Sequence, residues 1–332
     1  ARFEVIGISS GEDDRSEIRG RLRLAFDQFH DVQGISDLEV ARLMRNIEVD
    51  IAVDLSGHTF GQRLGALIQR PAPVQAAWLG YPGTTGAAFI DYILGDAVVT
   101  PPEHQAFYSE KIATLPDCFF PLDTGKRVAA PLTRAEAGLP ETGFVFCCFN
   151  RNWKIMPPVF DSWLRLLQQV PGSVLWLRSY TERSNTALRQ RAEERGVASS
   201  RLIFAERTEM DVHLARHTLA DLFLDTLPYG AHATAADALW AGLPVLTQMG
   251  EIFPGRVGAS LLTAANLPEL ITRSPEDYEA TALALARDPT RLKAIGDKLA
   301  ANRTSAPLFD TARFTRNLEA AYATMLAEKT GF

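Results

Sequence analysis

Cysteine is scarce. Cys118, Cys147 and Cys148 are the three in 332 residues, too few and too poorly spaced for a disulfide framework or a zinc knuckle. No apolar run approaches the ~20 residues that span a bilayer. The start, Ala1-Arg2-Phe3-Glu4-Val5-Ile6, has neither a signal-peptide profile nor an initiator Met. Neither sign of charge dominates: 34 Lys and Arg against 40 Asp and Glu give −6. That balance lends no support to a nucleic-acid or membrane-surface partner, though it is compatible with a local basic pocket. The G-x-G-x-x-G, G-x-x-x-x-G-K-[ST] and G-x-S-x-G patterns are all missing. A dinucleotide fingerprint, a P-loop and a hydrolase nucleophile elbow therefore have no support. There is no internal repeat or low-complexity tract. The chain reads as soluble, cytoplasmic and a piece of something longer.

What is present is 46% hydrophobic residues with 22% charged, the balance of a globular protein with substantial cores. Short apolar runs of strand length alternate with longer helical periodicities. Phe3–Ser9, Asp50–Ser56, Val74–Gly80, Tyr92–Leu94 and Lys111–Leu115 read as strands, with helices at Ser16–Phe29, Asp37–Asn46 and Arg63–Gln69. A second set of strands is Gly143–Phe149, Ser173–Leu177, Leu202–Phe204, Leu222–Leu224 and Pro244–Leu246. Its helices are Pro158–Val170, Glu182–Arg195, Asp211–His217, Ala233–Trp240 and Arg256–Ala265. Strands apolar on both faces suit a parallel sheet covered on both sides. The pattern predicts two Rossmann-like α/β domains facing a cleft. The expected limits are 1–125 for the first, incomplete domain and 126–308 for the second, nucleotide-binding one. A final helix in 309–332 carries Phe314, Leu318, Tyr322 and Leu326 on one stripe and is expected to return across the seam. The boundary falls in Pro121–Thr142, rich in Pro and charge, and opening strands of the first sheet are expected upstream of Ala1.

Ligands of such folds bind outside the carboxyl ends of the strands. After Leu224 comes Asp225-Thr226-Leu227-Pro228-Tyr229-Gly230-Ala231-His232-Ala233-Thr234, where a strand stops and small residues open a helix. Exposed amides and the dipole of a helix start favour an anion such as a diphosphate. His232 and Thr234 would add donors, Ala233 permits close approach, and Asp237, three residues past Thr234, could accept from ribose hydroxyls. An ordinary N-cap is the competing reading. After Cys148, Phe149-Asn150-Arg151-Asn152-Trp153-Lys154 brings two cations to another strand end, and Lys154 could neutralise a departing phosphate; a solvated Lys beside a Trp is the alternative. His213, following Thr208, Glu209 and Met210, could stack on a base whose edge that main chain reads. It could equally be an ordinary surface or core histidine. His217, four residues on, lacks the further ligands a metal needs. In the first half, Gly80, Gly83 and Gly86 follow a strand and allow a ligand to approach the backbone, or simply form a turn. Ser56-Gly57-His58-Thr59 ends the preceding strand.

Taken together, Arg70–Gly86 (RPAPVQAAWLGYPGTTG), DYILGD, YSEKIATLPDCFFP, FNRNWK, SVLWLR, LADLFLDTLPYGAHATAADALWAGLPVLT and Ser305–Phe309 resemble the catalytic region of the protein O-GlcNAc transferase family, including its bacterial and SPINDLY-like members. The resemblance runs through most of the chain. It implies a GT-B glycosyltransferase architecture and an inverting, metal-independent transfer of N-acetylglucosamine from UDP-GlcNAc to Ser or Thr hydroxyls of proteins, with UDP as product and no cofactor. It implies that Lys154, His232 and Thr234 contact the diphosphate and that Asp237 holds the ribose. His213 would stack near uracil, the main chain of Thr208, Glu209 and Met210 would read the base, and Leu79 and Gly80 would lie near the sugar. Arg151, Arg216 and Ala233 complete the expected substrate-binding set. Two departures stand out. Arg151 replaces a Gln common in relatives, and Ala233 replaces a Thr. The family's histidine-bearing acceptor segment and its tetratricopeptide repeats, expected partners of this region, would precede Ala1, and His58 does not convincingly replace the former. A GDP-fucose-dependent relative, a nucleotide-sugar-binding regulatory module without turnover, and a nucleotide-sugar epimerase are the alternatives.

Overall fold

The computed structural model describes residues 2–331. Contacts divide the chain into two compact units: one holds the residues up to Gly95, Pro102–Thr114 and those from Leu318 on, the other Asp96–Pro101 and Leu115–Asn317.

In the first unit, β1 (Ile6–Ser9) and β2 (Gln28–Asp31) form a parallel pair joined through α1 (Glu17–Ala25). A four-stranded sheet runs β3 (Ile51–Asp54), β4 (Val74–Ala77), β5 (Tyr92–Asp96), β6 (Lys111–Leu115) in spatial order. α2 (Asp37–Asn46) starts with a capping box, Ser36 and Glu39 satisfying each other's backbone. It buries Val40, Ala41 and Met44 in a core with Val32, Ala52, Leu64 and Leu67. β2 departs from the single helix read over Ser16–Phe29. The apolar period continues past Ala25, but Phe26 packs its ring onto Gly7, where a Cβ would meet it at 2.8 Å. The chain then pairs with β1 from Ile6↔Gln28 onward, a tertiary choice that overrides local period.

The second unit holds a six-stranded sheet: β7 (Val145–Cys148), β8 (Val174–Arg178), β9 (Leu202–Ala205), β10 (Leu222–Leu224), β11 (Val245–Gln248) and β12 (Ile271–Thr272). The spatial order is β12-β11-β10-β7-β8-β9, and each recorded pairing is parallel. β12 is two residues long and has no apolar run of its own. β7 has all four residues buried, the uninterrupted hydrophobicity of a strand enclosed on both faces. The helices are α4 (Pro157–Gln169), α5 (Glu182–Glu194), α6 (Met210–Arg216), α7 (Ala233–Trp240), α8 (Val257–Ala264), α9 (Pro275–Arg287) and α10 (Pro289–Asn302). Trp163, Trp176, Phe146, Phe149 and Phe223 are fully buried around the sheet. Counting this unit's strands from β7, the order is the 3-2-1-4-5-6 of doubly wound folds. Its reversal point lies between β7 and β10. Ligands bind outside the strand ends at such a point.

The last helix, α11 (Thr311–Thr330), is shared between the units. Arg313 pairs with Asp117 at 2.7 Å in the second. In the first, Glu328 accepts from Tyr92 and from Lys111 at 2.8 and 2.7 Å.

Candidate functional site

Past the carboxyl ends of β7 and β10 the chain places a dense polar cluster. Asp225, directly after β10, is 3% exposed. Its carboxylate accepts from the amides of Thr226 and Ala231 at 2.7 and 2.6 Å and from Thr247 Oγ1 at 2.7 Å. Burial pushes its pKa up to about 6 against these donors. Its carbonyl accepts from Tyr278 Oη at 2.9 Å. Asn150, two residues past β7 and buried, donates Nδ2 to Thr226 Oγ1 at 2.8 Å and accepts from Thr234 Oγ1. The two strand ends and the start of α7 are thus tied into one network.

Lys154 meets this network from the β7 side. Its Nζ donates to the Gly230 carbonyl at 2.7 Å and sits 4.1 Å from the centre of the Tyr229 ring. Tyr229 in turn stacks on His232, with centroids 5.0 Å apart. Among the described residues no carboxylate pairs directly with Lys154. Burial pushes its pKa down to about 8, with Asp225 at longer range opposing. A cation kept half-buried, held by a carbonyl and a ring face, is costly unless an anion completes it. The start of α7 supplies the complementary groups. His232 is its N-cap residue without capping the helix through its side chain, its Nε2 lying 3.2 Å from the Pro254 carbonyl. The first-turn amides of Ala233 and Thr234 have no acceptor among the described residues, as expected of a helix start. Burial, with Lys154 adding, lowers His232 to about 4, so its ring is neutral at pH 7.

A second group lies along α6. His213 packs its ring 5.4 Å from Phe149 and 4.8 Å from His217. Burial lowers it to about 4, Arg216 contributing. His217, wholly buried, has Nδ1 2.8 Å from the His213 carbonyl. Arg216 donates to the Glu206 carbonyl at 3.0 Å and to Thr208 Oγ1 at 2.5 Å, so it holds the loop before α6. Glu209, the α6 N-cap residue, and Met210 are exposed. Asp237, one turn into α7, bonds Lys126 Nζ at 2.5 Å. Arg151 is exposed on the β7 side.

In the first unit, Leu79 has φ +76. Gly80 approaches Leu55 so closely that a Cβ would overlap its carbonyl oxygen, so this turn requires the missing side chain. Glu110, buried, accepts from Thr84 Oγ1 and the Thr85 amide at 2.6 Å each. Burial raises its pKa, but these donors outweigh it and hold the carboxyl below its ordinary range. His58 Nε2 lies 2.8 Å from the Thr85 carbonyl.

The second unit therefore brings Lys154, His232, Ala233 and Thr234 to one place. Asp225, Asn150, Tyr229, Gly230 and Lys126 were not singled out in the sequence. Asp225 and Asn150 each follow a strand end, which was a usable signal. Lys126, within an irregular stretch, gave none. Among the described residues no three His, Cys, Asp or Glu are grouped as metal ligands, and no helix is long and apolar enough to cross a membrane.

The model of glycosyl transferase family 41 matches residues 1–128 and 122–318. The chain belongs to that family. It is 36% identical, over 97% of its own length and 34% of the relative's, to a probable UDP-N-acetylglucosamine–peptide N-acetylglucosaminyltransferase, SEC, of Arabidopsis thaliana. It is likewise 36% identical to the similarly named SPINDLY protein of Solanum lycopersicum, over 90% of this chain and 32% of that one. The chain spans about a third of the length of these curated relatives. Among solved structures, a mutant O-GlcNAc transferase of Thermobaculum terrenum superposes with a TM-score of 0.90 at 34% identity, covering 98% of this chain and 62% of that one. Anabaena HepE, solved with UDP, superposes at 0.65 over 95% of this chain and 92% of its own, and at 13% identity it speaks for the fold alone. The family 41 chain has the mixed α/β, parallel-sheet architecture of GT-B glycosyltransferases.

Proposed function

We propose that this family 41 chain is the donor-binding and transferring part of a protein O-GlcNAc transferase. It would move N-acetylglucosamine from UDP-GlcNAc to Ser or Thr hydroxyls, with inversion and without a metal. The observation that carries the reading is the Lys154 ammonium, which has no carboxylate partner among the described residues, against the amide-rich turn Tyr229–Thr234 at the reversal point of the second sheet. In this reading the diphosphate lies between them, with Lys154 and the α7 amides stabilising negative charge as UDP departs. Thr234 Oγ1 and the neutral His232 ring supply further polar contacts, and Ala233 leaves room for the phosphate. Asp237 accepts from the ribose. His213 flanks the uracil, whose edge meets the main chain of Thr208–Met210 while Arg216 braces that loop. Arg151 is assigned to the diphosphate. The names of the relatives support the donor and the acceptor class. A tetratricopeptide partner and a cytoplasmic location are part of the same proposal.

The test is transfer of radiolabelled GlcNAc to protein by a full-length protein containing this chain. Lys154→Ala is expected to lower the rate by about two to three decades, the usual cost of removing one charged contact to the developing anion, while the far-ultraviolet spectrum stays native. Undiminished transfer by that variant would remove Lys154 from the mechanism. UDP binding without any labelled Ser or Thr would favour a regulatory module, and donor consumption without acceptor an epimerase.

A further inference from the structure

Lys126 lies in the irregular stretch between β6 and β7 that the sequence marks as linker, yet this stretch is fastened at two points. The Lys126 carbonyl accepts from Trp240 Nε1 on α7 at 3.4 Å, and the Ala129 amide donates to the Asp211 carbonyl on α6 at 3.1 Å. These are the helices that carry Asp237 and His213. At the first of these points the Lys126 ammonium also reaches Asp237 Oδ1 at 2.5 Å, with the carboxylate side chain 7% exposed and the lysine 25%. The same lysine and carboxylate are both felt by the His213 ring. A carboxylate has about four lone-pair positions on two oxygens. Here Oδ1 is taken by the cation, and Oδ2 has no partner among the described residues.

We infer that Lys126 is a positioning residue: it compensates and orients the Asp237 carboxylate so that its second oxygen accepts from a ribose hydroxyl, making the site select ribonucleotides over deoxyribonucleotides. The inference rests on the donor-site reading above. An isolated buried carboxylate is poorly solvated and free to rotate, whereas one clamped by an ammonium is held in one direction. Binding of hydroxyl-bearing nucleotides should therefore depend on Lys126, and binding of those without hydroxyls should not.

Calorimetric titration of the full chain with UDP, 2′-deoxy-UDP and 2′,3′-dideoxy-UDP tests this, using Lys126→Met, Lys126→Arg and Asp237→Asn. Lys126→Met should weaken UDP about tenfold, the size of one charge-assisted hydrogen bond, and the dideoxy analogue less than twofold. Lys126→Arg should stay within about threefold of wild type for UDP. Unchanged or tighter UDP binding by Lys126→Met would overturn the inference, because the lysine would then be idle or a competitor for the carboxylate. An equal loss for all three nucleotides would overturn it too, leaving the lysine a brace for the loop. Failure of the wild-type chain to bind UDP sinks the donor-site reading and the inference with it. That outcome is distinct from one in which wild type binds, Asp237→Asn weakens UDP, and Lys126→Met does not.

Discussion

Lys154 carries its charge into surroundings that oppose it, and burial brings its pKa down to about 8 where an exposed lysine stays charged past pH 10. If the ammonium faces a diphosphate in the complex, the bound anion raises that pKa again, so above about pH 8 each binding event takes up a proton. The sign follows from linkage: affinity is flat while the free lysine is charged and falls as pH rises through its pKa. Phosphate second ionisations lie near 6, so the diphosphate's charge is constant over this range. The dissociation constant of UDP should therefore change little from pH 7 to 7.5 and rise toward about tenfold per unit above pH 8.5. In Lys154→Met it should be weaker at pH 7 and lose that slope. Titration calorimetry in two buffers of different ionisation enthalpy measures both the constant and the proton uptake. A flat profile in the wild-type chain would mean that Lys154 does not face the ligand.

At the level of elements, the cluster depends on how closely α8 approaches the end of β10. A Cβ on Gly258 would stand 2.7 Å from both Asp225 Oδ2 and Thr247 Oγ1, whose mutual bond anchors the turn to β11. Gly258→Ala is therefore expected to cost about 1–3 kcal/mol through overpacking despite alanine's better helix propensity. Urea unfolding followed by circular dichroism would read it as a lower midpoint at unchanged slope. Equal or greater stability would show that the carboxylate is less tightly held than its donors imply. This approach could not be read from the sequence, and the reason is general to the site. α2, α7 and β10 have the limits that their periodicity and apolar runs predict, since both signals are local. Lys154, His232 and Thr234 were legible because each follows a recognisable strand end. β2 was hidden inside an apparent helical period, and its pairing with β1 exists only in three dimensions. Asp225 looked like one more turn residue until four donors converged on it. Lys126 sits 111 residues from its carboxylate, a distance that no local pattern spans.

At the scale of the molecule, the strand order of the second sheet fixes where a ligand should be felt. The candidate residues of the second unit come from segments far apart in sequence, 149–154, 206–216 and 226–237, and they meet because β7, β9 and β10 belong to one parallel sheet whose connections return each carboxyl end to the same edge. A nucleotide held there should slow amide exchange in these three segments together, most at the Ala233 and Thr234 amides, which have no acceptor among the described residues. α10, whose Lys293–Asp297 pair is solvent-exposed, should exchange at an unchanged rate. Ligand binding at one hundred times the dissociation constant stabilises the folded state by about 2.7 kcal/mol, which for a unit of this size raises the melting temperature by roughly 5–10 °C. UDP should produce that rise, and GDP at the same concentration a smaller one, because a purine is bulkier and presents a different edge to the Thr208–Met210 main chain. Protection confined to 226–237, with GDP as effective as UDP, would indicate a phosphate site without base selection and would separate the anion cradle from the α6 loop that is assigned here to the uracil.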